Sequence, residues 1–318
     1  MPAGTPSGPV VVTGGAGAIG SVLVGRLLKE GREVRVLDNL SSGRRELLPA
    51  SPNANVRLTQ TDLRTDARPG EFQGAAEVWH LAANPDIRLG TSNPRLDLEH
   101  GTVATFNVLE AARRADVPRV LFSSSSVVYG LPTVFPTPEE YGPLLPQSLY
   151  GASKLASEGL LSAYAHCYGI HSYIFRFANI IGPTMTHGVI FDFFEKLRQD
   201  PTRLEVLGDG RQSKSYLLAD DCVEAMRLAR DRSNELVNVF NLGTRDRVSV
   251  REIAEIVVGA MGGKATIRYT GGERGWAGDV PQQLLAIERI SRLGWAPRTD
   301  SRGAVAQTVE ALAHARAR

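Results

Sequence analysis

A glycine-rich stretch, Thr13-Gly14-Gly15-Ala16-Gly17-Ala18-Ile19-Gly20, follows a β-branched run at residues 10–12 and leads directly into a helical pattern at residues 19–30. Glycines at 14, 17 and 20 permit a tight turn, a close approach of the backbone to a phosphate and close packing of helix on strand. The free N–H groups and the positive dipole end of the helix then face that phosphate. In this strand–turn–helix context the stretch predicts a dinucleotide pyrophosphate site.

The second predicted strand, residues 33–37, ends at Asp38, 18 residues after Gly20. A carboxylate at this place accepts hydrogen bonds from the adenosine ribose hydroxyls and repels a 2′-phosphate, which favours NAD over NADP. The alternative interpretation is a polar residue that only forms the turn at the strand end. Arg44 and Arg45 lie just beyond and are candidates for holding a 2′-phosphate, but Asp38 would stand beside it.

Short β-branched runs continue to alternate with helical patterns through the first half of the chain. Strands that are apolar on both faces and alternate with helices indicate a parallel sheet covered on each side. The predicted fold class is α/β, a Rossmann-like doubly wound sheet whose ligand lies beyond the carboxyl ends of the strands. Further strands are predicted at residues 55–59, 77–81, 119–123 and 171–177, and long helices at 96–114 and 150–168.

The alternation weakens after about residue 179. We expect residues 1–178 to form the dinucleotide-binding domain with the catalytic residues. Residues 179–318 should form a smaller α/β lobe that binds substrate; the alternative is that some of its elements return to the large domain. Short strands are predicted at residues 204–207, 237–241 and 265–269, and helices at 191–198, 220–230 and 250–261.

Composition restricts the function classes. The 318 residues carry a net charge of +2, from 36 basic and 34 acidic side chains, which gives no electrostatic case for nucleic acid. No apolar run approaches the ~18 residues that a membrane span needs. Residues 1–8 have neither a basic start nor an apolar core, so we expect no signal peptide and a cytoplasmic location. Cys167 and Cys222 lack His or Cys at metal-ligand spacing, which predicts buried or half-buried free thiols and no metal site.

Tyr150 and Lys154 form the candidate catalytic pair, four residues apart at the start of a predicted helix and therefore on one face of it. A nearby ammonium favours the phenolate, so we expect Lys154 to lower the pKa of Tyr150 and make it a usable acid or base. Four serines, residues 123–126, end the preceding strand at the carboxyl edge of the sheet. They present a row of hydroxyls where a nicotinamide should lie, and the alternative interpretation is a hydroxyl-capped loop.

With these residues in hand, the chain resembles the extended short-chain dehydrogenase/reductases of the NAD-dependent epimerase/dehydratase family, in particular the UDP-glucose 4-epimerases. The resemblance extends over essentially the whole length. Residues 187–190 together with 275–279 are most similar to compact epimerases of the archaeal kind. Matching stretches are residues 13–20, 38–43, 62–63, 80–83, 123–130, 150–154, 176–179, 207–210 and 274–280.

The resemblance implies NAD as cofactor and assigns it most of the residues above. Asp38, Asn39, Asp62 and Leu63 would hold the adenosine end. The implied cofactor-binding residues are Gly14, Gly17, Ala18, Ile19, Gly20, Asp38, Asn39, Ser41, Ser42, Gly43, Asp62, Leu63, Leu81, Ala82, Ala83, Ser123, Tyr150 and Lys154.

The resemblance also implies catalytic and substrate contacts. Tyr150 would be the base for the sugar 4-hydroxyl, and Lys154 would bind the nicotinamide ribose. Ser125 lies 25 residues before Tyr150, as in the family, and would contact a sugar hydroxyl, with Ser124 as the second candidate. The implied substrate-binding residues are Ser124, Ser125, Asn179, His187, Val189, Val206, Lys214, Arg274 and Asp279.

Three positions depart from the family pattern. Gly101-Thr102 stands where the family often has Asn-Val, so one contact on the cofactor side is expected to be absent. Lys214-Ser215-Tyr216 replaces an Arg-Asp-Tyr/Phe stretch, which loses the bidentate geometry of arginine. The turn at residues 182–188 has no Arg or Lys, and its one candidate cation is His187.

The implied reaction is epimerisation at C4 of a UDP-hexose, with UDP-glucose and UDP-galactose as the first choice, through a 4-keto sugar. Alternatives are a UDP-N-acetylglucosamine or UDP-glucuronate 4-epimerase, and further a decarboxylase or a 4,6-dehydratase. Arg88 could place a cation against a uronate carboxylate, whereas residues 125–130 lack the added acid/base pair of a dehydratase. Asp38 disfavours an NADPH-consuming reductase, and the intact Tyr150/Lys154 pair disfavours a non-catalytic NAD sensor.

A homodimer is also implied, through a bundle of the predicted helices 96–114 and 150–168 from two subunits. Both helices carry enough apolar and small residues for this, and equally enough for packing within one chain.

Overall fold

The computed structural model describes residues 8–49, 55–276 and 278–316. The first half of the chain contains β1 (Val10–Thr13), α1 (Ala18–Lys29), β2 (Val34–Asp38), β3 (Val56–Gln60), β4 (Glu77–His80), α2 (Leu89–Ser92), α3 (Pro94–Asp97), α4 (Ala104–Arg114), β5 (Arg119–Ser125), α5 (Leu149–Tyr168) and β6 (His171–Phe177). The second half contains β7 (Asn179–Ile181), α6 (Val189–Gln199), β8 (Arg203–Val206), β9 (Ser213–Lys214), β10 (Tyr216–Leu218), α7 (Ala219–Arg232), β11 (Val237–Leu242), β12 (Val248–Ser249), α8 (Val250–Ala260), β13 (Thr266–Tyr269), β14 (Gln282–Gln283), α9 (Glu288–Arg292) and α10 (Ser301–Arg316).

Seven parallel strands form the central sheet, in the order β11-β6-β5-β4-β1-β2-β3. Alternate residues of β1 face opposite sides: Val10 and Val12 pack into a core with α1 and α7, whereas Val11 packs into a core with α4 and α5. The predicted doubly wound sheet is therefore confirmed. Strand order reverses between β1 and β4, so a crevice opens beyond the carboxyl ends of these two strands.

The second half of the chain contributes to both parts of the molecule. β11 pairs in parallel with β6, and α7 packs against α1, so both complete the large domain. A separate core joins α6, α8 and α10 with β8 and β10. Three short strands form a sheet in the order β12-β9-β14. We propose residue 178 as the domain boundary, with α7 and β11 returning to the large domain.

The helix predicted at residues 96–114 is present within a continuous helical run over residues 94–114, but that run contains a π-helical segment that was not predicted. The run divides into α3, a π-helical turn at Leu98–Val103, and α4. Gly101 lies in the π turn against α5, where a Cβ would overlap the Ser153 hydroxyl. Close approach to α5 thus accompanies the widened turn, which helical periodicity cannot reveal.

One helix and one cysteine differ from what the sequence predicts. α10 has no counterpart among the predicted helices, although Ala304, Val305, Val309 and Leu312 of that helix are buried in the small-lobe core. Cys222 is buried as predicted, but Cys167 is exposed, because it occupies the solvent side of the last turn of α5. Among the described residues, no helix combines the length and apolarity that a bilayer span requires.

Candidate active site

A cleft of about 530 Å³ opens beyond the carboxyl ends of the sheet and extends under the small lobe. All the predicted site residues except two line this cleft. The predicted residues that line it are Gly14, Gly17, Ala18, Ile19, Gly20, Asp38, Asn39, Ser41, Ser42, Gly43, Asp62, Leu63, Leu81, Ala82, Ala83, Ser123, Ser124, Ser125, Tyr150, Lys154, Asn179, His187, Val189, Lys214 and Asp279.

Val206 and Arg274 are the two predicted substrate contacts that do not line the cleft. Val206 ends β8 with its side chain fully buried in the small-lobe core, because the strand alternates and its neighbour Leu207 faces the cleft instead. Arg274 is exposed, on the loop before Gly275. The structure therefore gives neither residue the position that the resemblance implied.

The glycine turn is shaped for a phosphate group. Gly14 has a positive φ of 67°, and a Cβ there would lie 2.7 Å from the Ala82 backbone nitrogen. A Cβ on Gly20 would overlap the Gly14 carbonyl oxygen. Gly17 caps α1 without a side-chain hydrogen bond, so the first N–H groups of the helix stay available to a ligand in the cleft. The turn thus fits a dinucleotide pyrophosphate.

Asp38 is buried at the end of β2 and organises the adjoining turns. One carboxylate oxygen accepts from the Ala16 N–H at 3.0 Å and the other from the Leu40 N–H at 2.8 Å. Gly43 packs against it, since a Cβ there would lie 2.9 Å from Oδ1. The turn-forming role is therefore present, and the carboxylate also lines the cleft, where its remaining lone pairs can accept from ribose hydroxyls.

Arg64 is hydrogen-bonded to Asp62 where the adenosine end of NAD is expected to bind. Its Nε donates to both carboxylate oxygens at 3.0 Å, and its Nη2 donates at 2.6 Å. These hydrogen bonds lower the pKa of Asp62, so the carboxylate remains an acceptor at neutral pH. Arg64 lines the cleft as well, and the sequence interpretation had missed it.

Lys154 lies beneath the reacting region, 2% exposed, on the α5 turn that follows Tyr150. Its Nζ donates to the Ser123 carbonyl at 2.5 Å and lies 5.6 Å from the centre of the Tyr150 ring. Burial lowers the pKa of Lys154 to about 7, against the opposing fields of Glu158 and Asp97. Lys154 therefore changes its protonation near neutral pH and is not a permanent positive charge.

The expectation that Lys154 lowers the pKa of Tyr150 is wrong for the protein chain by itself. Burial raises the pKa of Tyr150, and the carboxylate of Asp97 adds to the increase. Desolvation of the phenolate outweighs an ammonium that is itself partly deprotonated. A usable phenolate therefore requires further positive charge in the cleft, which the oxidised nicotinamide ring of NAD would supply.

The serines of the row make different contacts. β5 continues to Ser125, so successive serines face opposite sides of the sheet. Ser123 donates to the His80 carbonyl, and Ser124 donates at 2.5 Å to the buried carboxylate of Glu158. Ser125 accepts from the Val127 N–H and caps the turn that follows, while its side chain lines the cleft. Its hydroxyl hydrogen has no fixed acceptor among these bonds, so the geometry favours Ser125 over Ser124 as the group that meets a ligand.

A buried ion pair supports this region from below. Arg176 of β6 donates to Glu158 of α5 through Nη2 at 2.7 Å and through Nε at 3.0 Å, with both side chains 7% exposed. Glu158 follows Lys154 by one helical turn. The pair connects the catalytic helix, the serine strand and β6, and Glu158 was not among the predicted residues although its spacing of four from Lys154 could have indicated it.

The substrate side of the cleft is built by the short strands. Lys214 of β9 forms an ion pair with Asp279 at 2.7 Å, and the other Asp279 oxygen accepts from the Gly275 N–H at 3.1 Å. Asn179, at the start of β7, donates to the Ser215 carbonyl at 3.0 Å. Unpredicted cleft residues on this side are Phe177, Thr186, Asp192, Lys196, Gln212, Tyr216 and Trp276.

The loop after β4 contributes more residues to the cleft than the cofactor contacts and Arg88 that the sequence indicated. Asn84, Asp86 and Arg88 all line the cleft, directly beyond the predicted Ala83. His100 also lines it, next to the departure at Gly101. Among the described residues, no cluster of three or more His, Cys, Asp or Glu side chains is arranged to hold a metal ion.

Curated relatives match almost the whole chain. UDP-glucose 4-epimerase of Mycolicibacterium smegmatis is 34% identical over 310 residues, which cover 94% of this chain and 97% of the relative. UDP-glucuronic acid decarboxylase 1 of Arabidopsis thaliana is 31% identical over 303 residues, which cover 92% of this chain and 67% of the relative.

Solved structures share the fold. A crystal structure of UDP-galactose 4-epimerase superimposes with a TM-score of 0.88 at 43% identity, covering 96% of this chain and 99% of the other. MoeE5 in complex with UDP-glucuronic acid and NAD superimposes with a TM-score of 0.85 at 30% identity, covering 97% of this chain and all of the other, at 100%.

The sequence profile of the NAD dependent epimerase/dehydratase family matches residues 10–243, which span the glycine turn, the serine row and the Tyr150/Lys154 pair. The fit of the cleft to a dinucleotide agrees with this match. The chain belongs to the NAD dependent epimerase/dehydratase family and is an NAD-dependent enzyme of that family.

Proposed function

We propose that the enzyme interconverts the C4 epimers of a UDP-hexose, with UDP-glucose and UDP-galactose as the substrate pair. One observation carries the proposal: Tyr150, buried Lys154 and Ser125 share a cleft of about 530 Å³ with the glycine turn and with a separate side that carries Lys214 and Asn179 for a nucleotide. Reaction at the sugar and anchoring through the nucleotide can then occur at different ends of one space.

NAD would supply the hydride acceptor at C4, held by the glycine turn, by Asp38 and by the residues around Asp62. Tyr150 takes the proton of the sugar 4-hydroxyl as C4 loses its hydride, and it returns a proton when the hydride comes back to the other face. Lys154 holds the nicotinamide ribose and contributes positive charge near the phenolate. Ser125 donates to the sugar 4-oxygen and keeps it oriented toward Tyr150.

The nucleotide is held by the substrate side of the cleft. Lys214 meets a phosphate oxygen, and Asn179 contributes polar contact to the diphosphate. His187, Val189 and Asp279 complete the contacts with the nucleotide. Since the 4-keto sugar must present both faces to the cofactor, the strong contacts belong to the UDP portion and the hexose lies in the open volume of the cleft.

The named relatives support this proposal and also define its competitors. A UDP-glucose 4-epimerase and a UDP-glucuronic acid decarboxylase match the chain at similar identity, so family resemblance does not separate neutral from acidic sugars. A decarboxylase or a UDP-glucuronate 4-epimerase would need a free cation beside C6. UDP-N-acetylglucosamine is uncharged at C6, as UDP-glucose is, so it needs no cation there and competes with UDP-glucose on equal electrostatic terms.

We further propose a homodimer through the π turn, α4 and α5. Large apolar side chains of these helical segments are exposed: Leu98, Val103, Phe106, Leu149 and Tyr168. A second subunit packed along the segments would remove them from water. Sedimentation equilibrium should give twice the 34.4 kDa chain mass, and a Phe106→Glu variant should shift the protein toward the monomer.

Purified protein incubated with UDP-glucose, with no NAD added, tests the reaction. We expect UDP-galactose, formed with cofactor that was retained through purification. If UDP-glucose is inert and UDP-N-acetylglucosamine or UDP-glucuronate is turned over, the mechanism stands and the substrate changes. Inactivity toward all three in a protein that carries NAD would overturn the proposed function.

A further inference from the structure

A cluster of three charged side chains closes one end of the cleft. Arg88, from the loop after β4, donates through Nε and Nη2 to the two oxygens of Asp86 at 3.0 and 3.1 Å. Through Nη1 it donates at 3.2 Å to Asp192, in the first turn of α6. We call Asp86, Arg88 and Asp192 the carboxylate clamp. It joins the large domain to the small lobe across the cleft, and all three residues line that cleft.

The carboxylate clamp carries a net negative charge. Two carboxylates surround one guanidinium, and hydrogen bonds from Arg88 lower the pKa of Asp86, which stays ionised at neutral pH. His187 is the nearby titratable group on the small lobe. Burial lowers its pKa despite the fields of Asp86 and Asp192, so the imidazole is neutral at pH 7. The guanidinium edge that would receive a substrate carboxylate bidentately is already taken by Asp86.

Other cations that line the cleft are engaged elsewhere. Lys196 follows Asp192 by one helical turn, but its Nζ donates to the Glu205 carbonyl at 2.9 Å. Lys214 is paired with Asp279, and Lys154 donates to the Ser123 carbonyl. Within the described part of the chain, Arg88 is the cleft cation whose charge acts on His187, and its two carboxylate partners exceed that charge by one.

The loop that carries Asp86 and Arg88 begins beside the reacting region. Asn84 donates at 2.9 Å to both the Asp86 carbonyl and the buried carboxylate of Asp97. Asp97 in turn lies close enough to Tyr150 and Lys154 to act on both through its charge. The carboxylate clamp is thus connected to the reacting region through Asn84 and Asp97, and a sugar reacting at Tyr150 would project its substituents into the cleft that the clamp lines.

We propose that the carboxylate clamp selects for a nucleotide-sugar whose hexose is uncharged and excludes uronates. This inference rests on the proposed function and narrows its substrate class. A uronate carboxylate would have to displace Asp86 or Asp192 from Arg88, or lie beside an unneutralised carboxylate, and like charges at such range are repelled. The clamp side chains are 28–43% exposed, so solvent and salt moderate the repulsion.

Binding of UDP-glucose and UDP-glucuronate to the NAD-loaded protein tests the selection, by calorimetry at low ionic strength. The quantity of interest is the ratio of the two dissociation constants, which needs no turnover. We expect UDP-glucuronate to bind the unaltered protein at least tenfold more weakly than UDP-glucose. Asp192→Asn should reduce that ratio roughly tenfold, because it leaves Arg88 balanced by one carboxylate. Arg88→Gln should increase the ratio.

Glu195→Gln is the matched control, since it removes one negative charge from the same helix but outside the cleft lining. It should leave the ratio unchanged. Equal or tighter binding of UDP-glucuronate by the unaltered protein would overturn the inference even if UDP-glucose is epimerised. A ratio that responds equally to Asp192→Asn and Glu195→Gln would overturn it too. Failure of the protein to bind either nucleotide-sugar would overturn the proposed function and this inference together.

Discussion

The two sides of the cleft are built on different principles. The cofactor side is formed by turns at the ends of adjacent parallel strands, and its central charge, Lys154, is buried and donates to the neutral Ser123 carbonyl. The substrate side is formed by strands of two or three residues and by the loop after β4, and its cations are paired with carboxylates, as in Lys214 with Asp279 and Arg88 with Asp86. The cofactor side holds a charge that can take part in the reaction, whereas the paired charges of the substrate side can discriminate between substrates.

This difference explains why one side could be predicted from local sequence. A glycine turn, a strand-end carboxylate and a Tyr/Lys pair spaced by four are contiguous patterns with one structural meaning. Two of the carboxylates that pair with Arg88 and Lys214 are distant in sequence: Asp192 is separated from Arg88 by 104 residues and Asp279 from Lys214 by 65 residues. Sequence can propose such cations but not whether a carboxylate already neutralises them.

The largest expected effect lies on the reactive side. Tyr150→Phe removes the acid/base hydroxyl and should reduce kcat by about a thousandfold or more, with little change in UDP-sugar binding. Tyr168→Phe is the control, at the exposed end of the same helix, and should leave kcat within about twofold. Steady-state kinetics with UDP-glucose checks both, and an active Tyr150→Phe enzyme would remove Tyr150 from the reaction.

The next effect concerns cofactor retention. Gly14→Ala should produce a protein that loses NAD on purification, because the added Cβ meets the Ala82 backbone, which cannot yield as a flexible side chain can. Gly31→Ala matches it in positive φ but has nothing within 4 Å of the new Cβ. It should therefore show only the strain of a left-handed conformation, about 1 kcal/mol. Absorbance of NAD released by denaturation measures the difference, and equal cofactor content in both variants contradicts it.

A smaller effect is expected on the selective side. Lys214→Met should increase KM for UDP-glucose about tenfold with kcat and NAD content nearly unchanged, because one charge-assisted contact to phosphate is lost. Lys214→Arg should retain most of the affinity. Lys29→Met, at the solvent-facing end of α1, is the charge control. A fall in kcat without a change in KM would place Lys214 in the chemistry instead.

The smallest expected effect is on the pH dependence of protein stability, compared between variants of Lys154 and Lys214. The folded pKa of Lys154 is about 7 against an ordinary 10.5, so between those values the unfolded chain binds more protons than the folded one. Stability of the NAD-free protein should therefore rise with pH through this window, by at most about 1.4 kcal/mol per pH unit from this group. Urea unfolding at pH 7.5 and 9 should show the rise in Lys214→Met and a weaker one in Lys154→Met. Identical slopes would mean that Lys154 is not a buried charge.

Much of the fold followed from periodicity, since β6 matches its predicted bounds and α1, α5 and β11 match within one residue. The features that periodicity missed arise from tertiary contacts or from short length. The π turn at Leu98–Val103 accompanies a close contact between Gly101 and Ser153, and β9 and β14 are too short to leave a pattern. The unpredicted rise in the Tyr150 pKa has the same origin, because desolvation is a property of the assembled cleft rather than of the Tyr/Lys spacing.

The central claim is that hydride leaves C4 of the sugar and returns to the same carbon. UDP-glucose deuterated at C4 should be converted, without added NAD, to UDP-galactose that retains the deuterium at C4, with none released to solvent. Mass spectrometry of the separated product measures this directly. UDP-galactose that has lost the label, or no conversion by a protein that binds both NAD and UDP-glucose, would contradict the account.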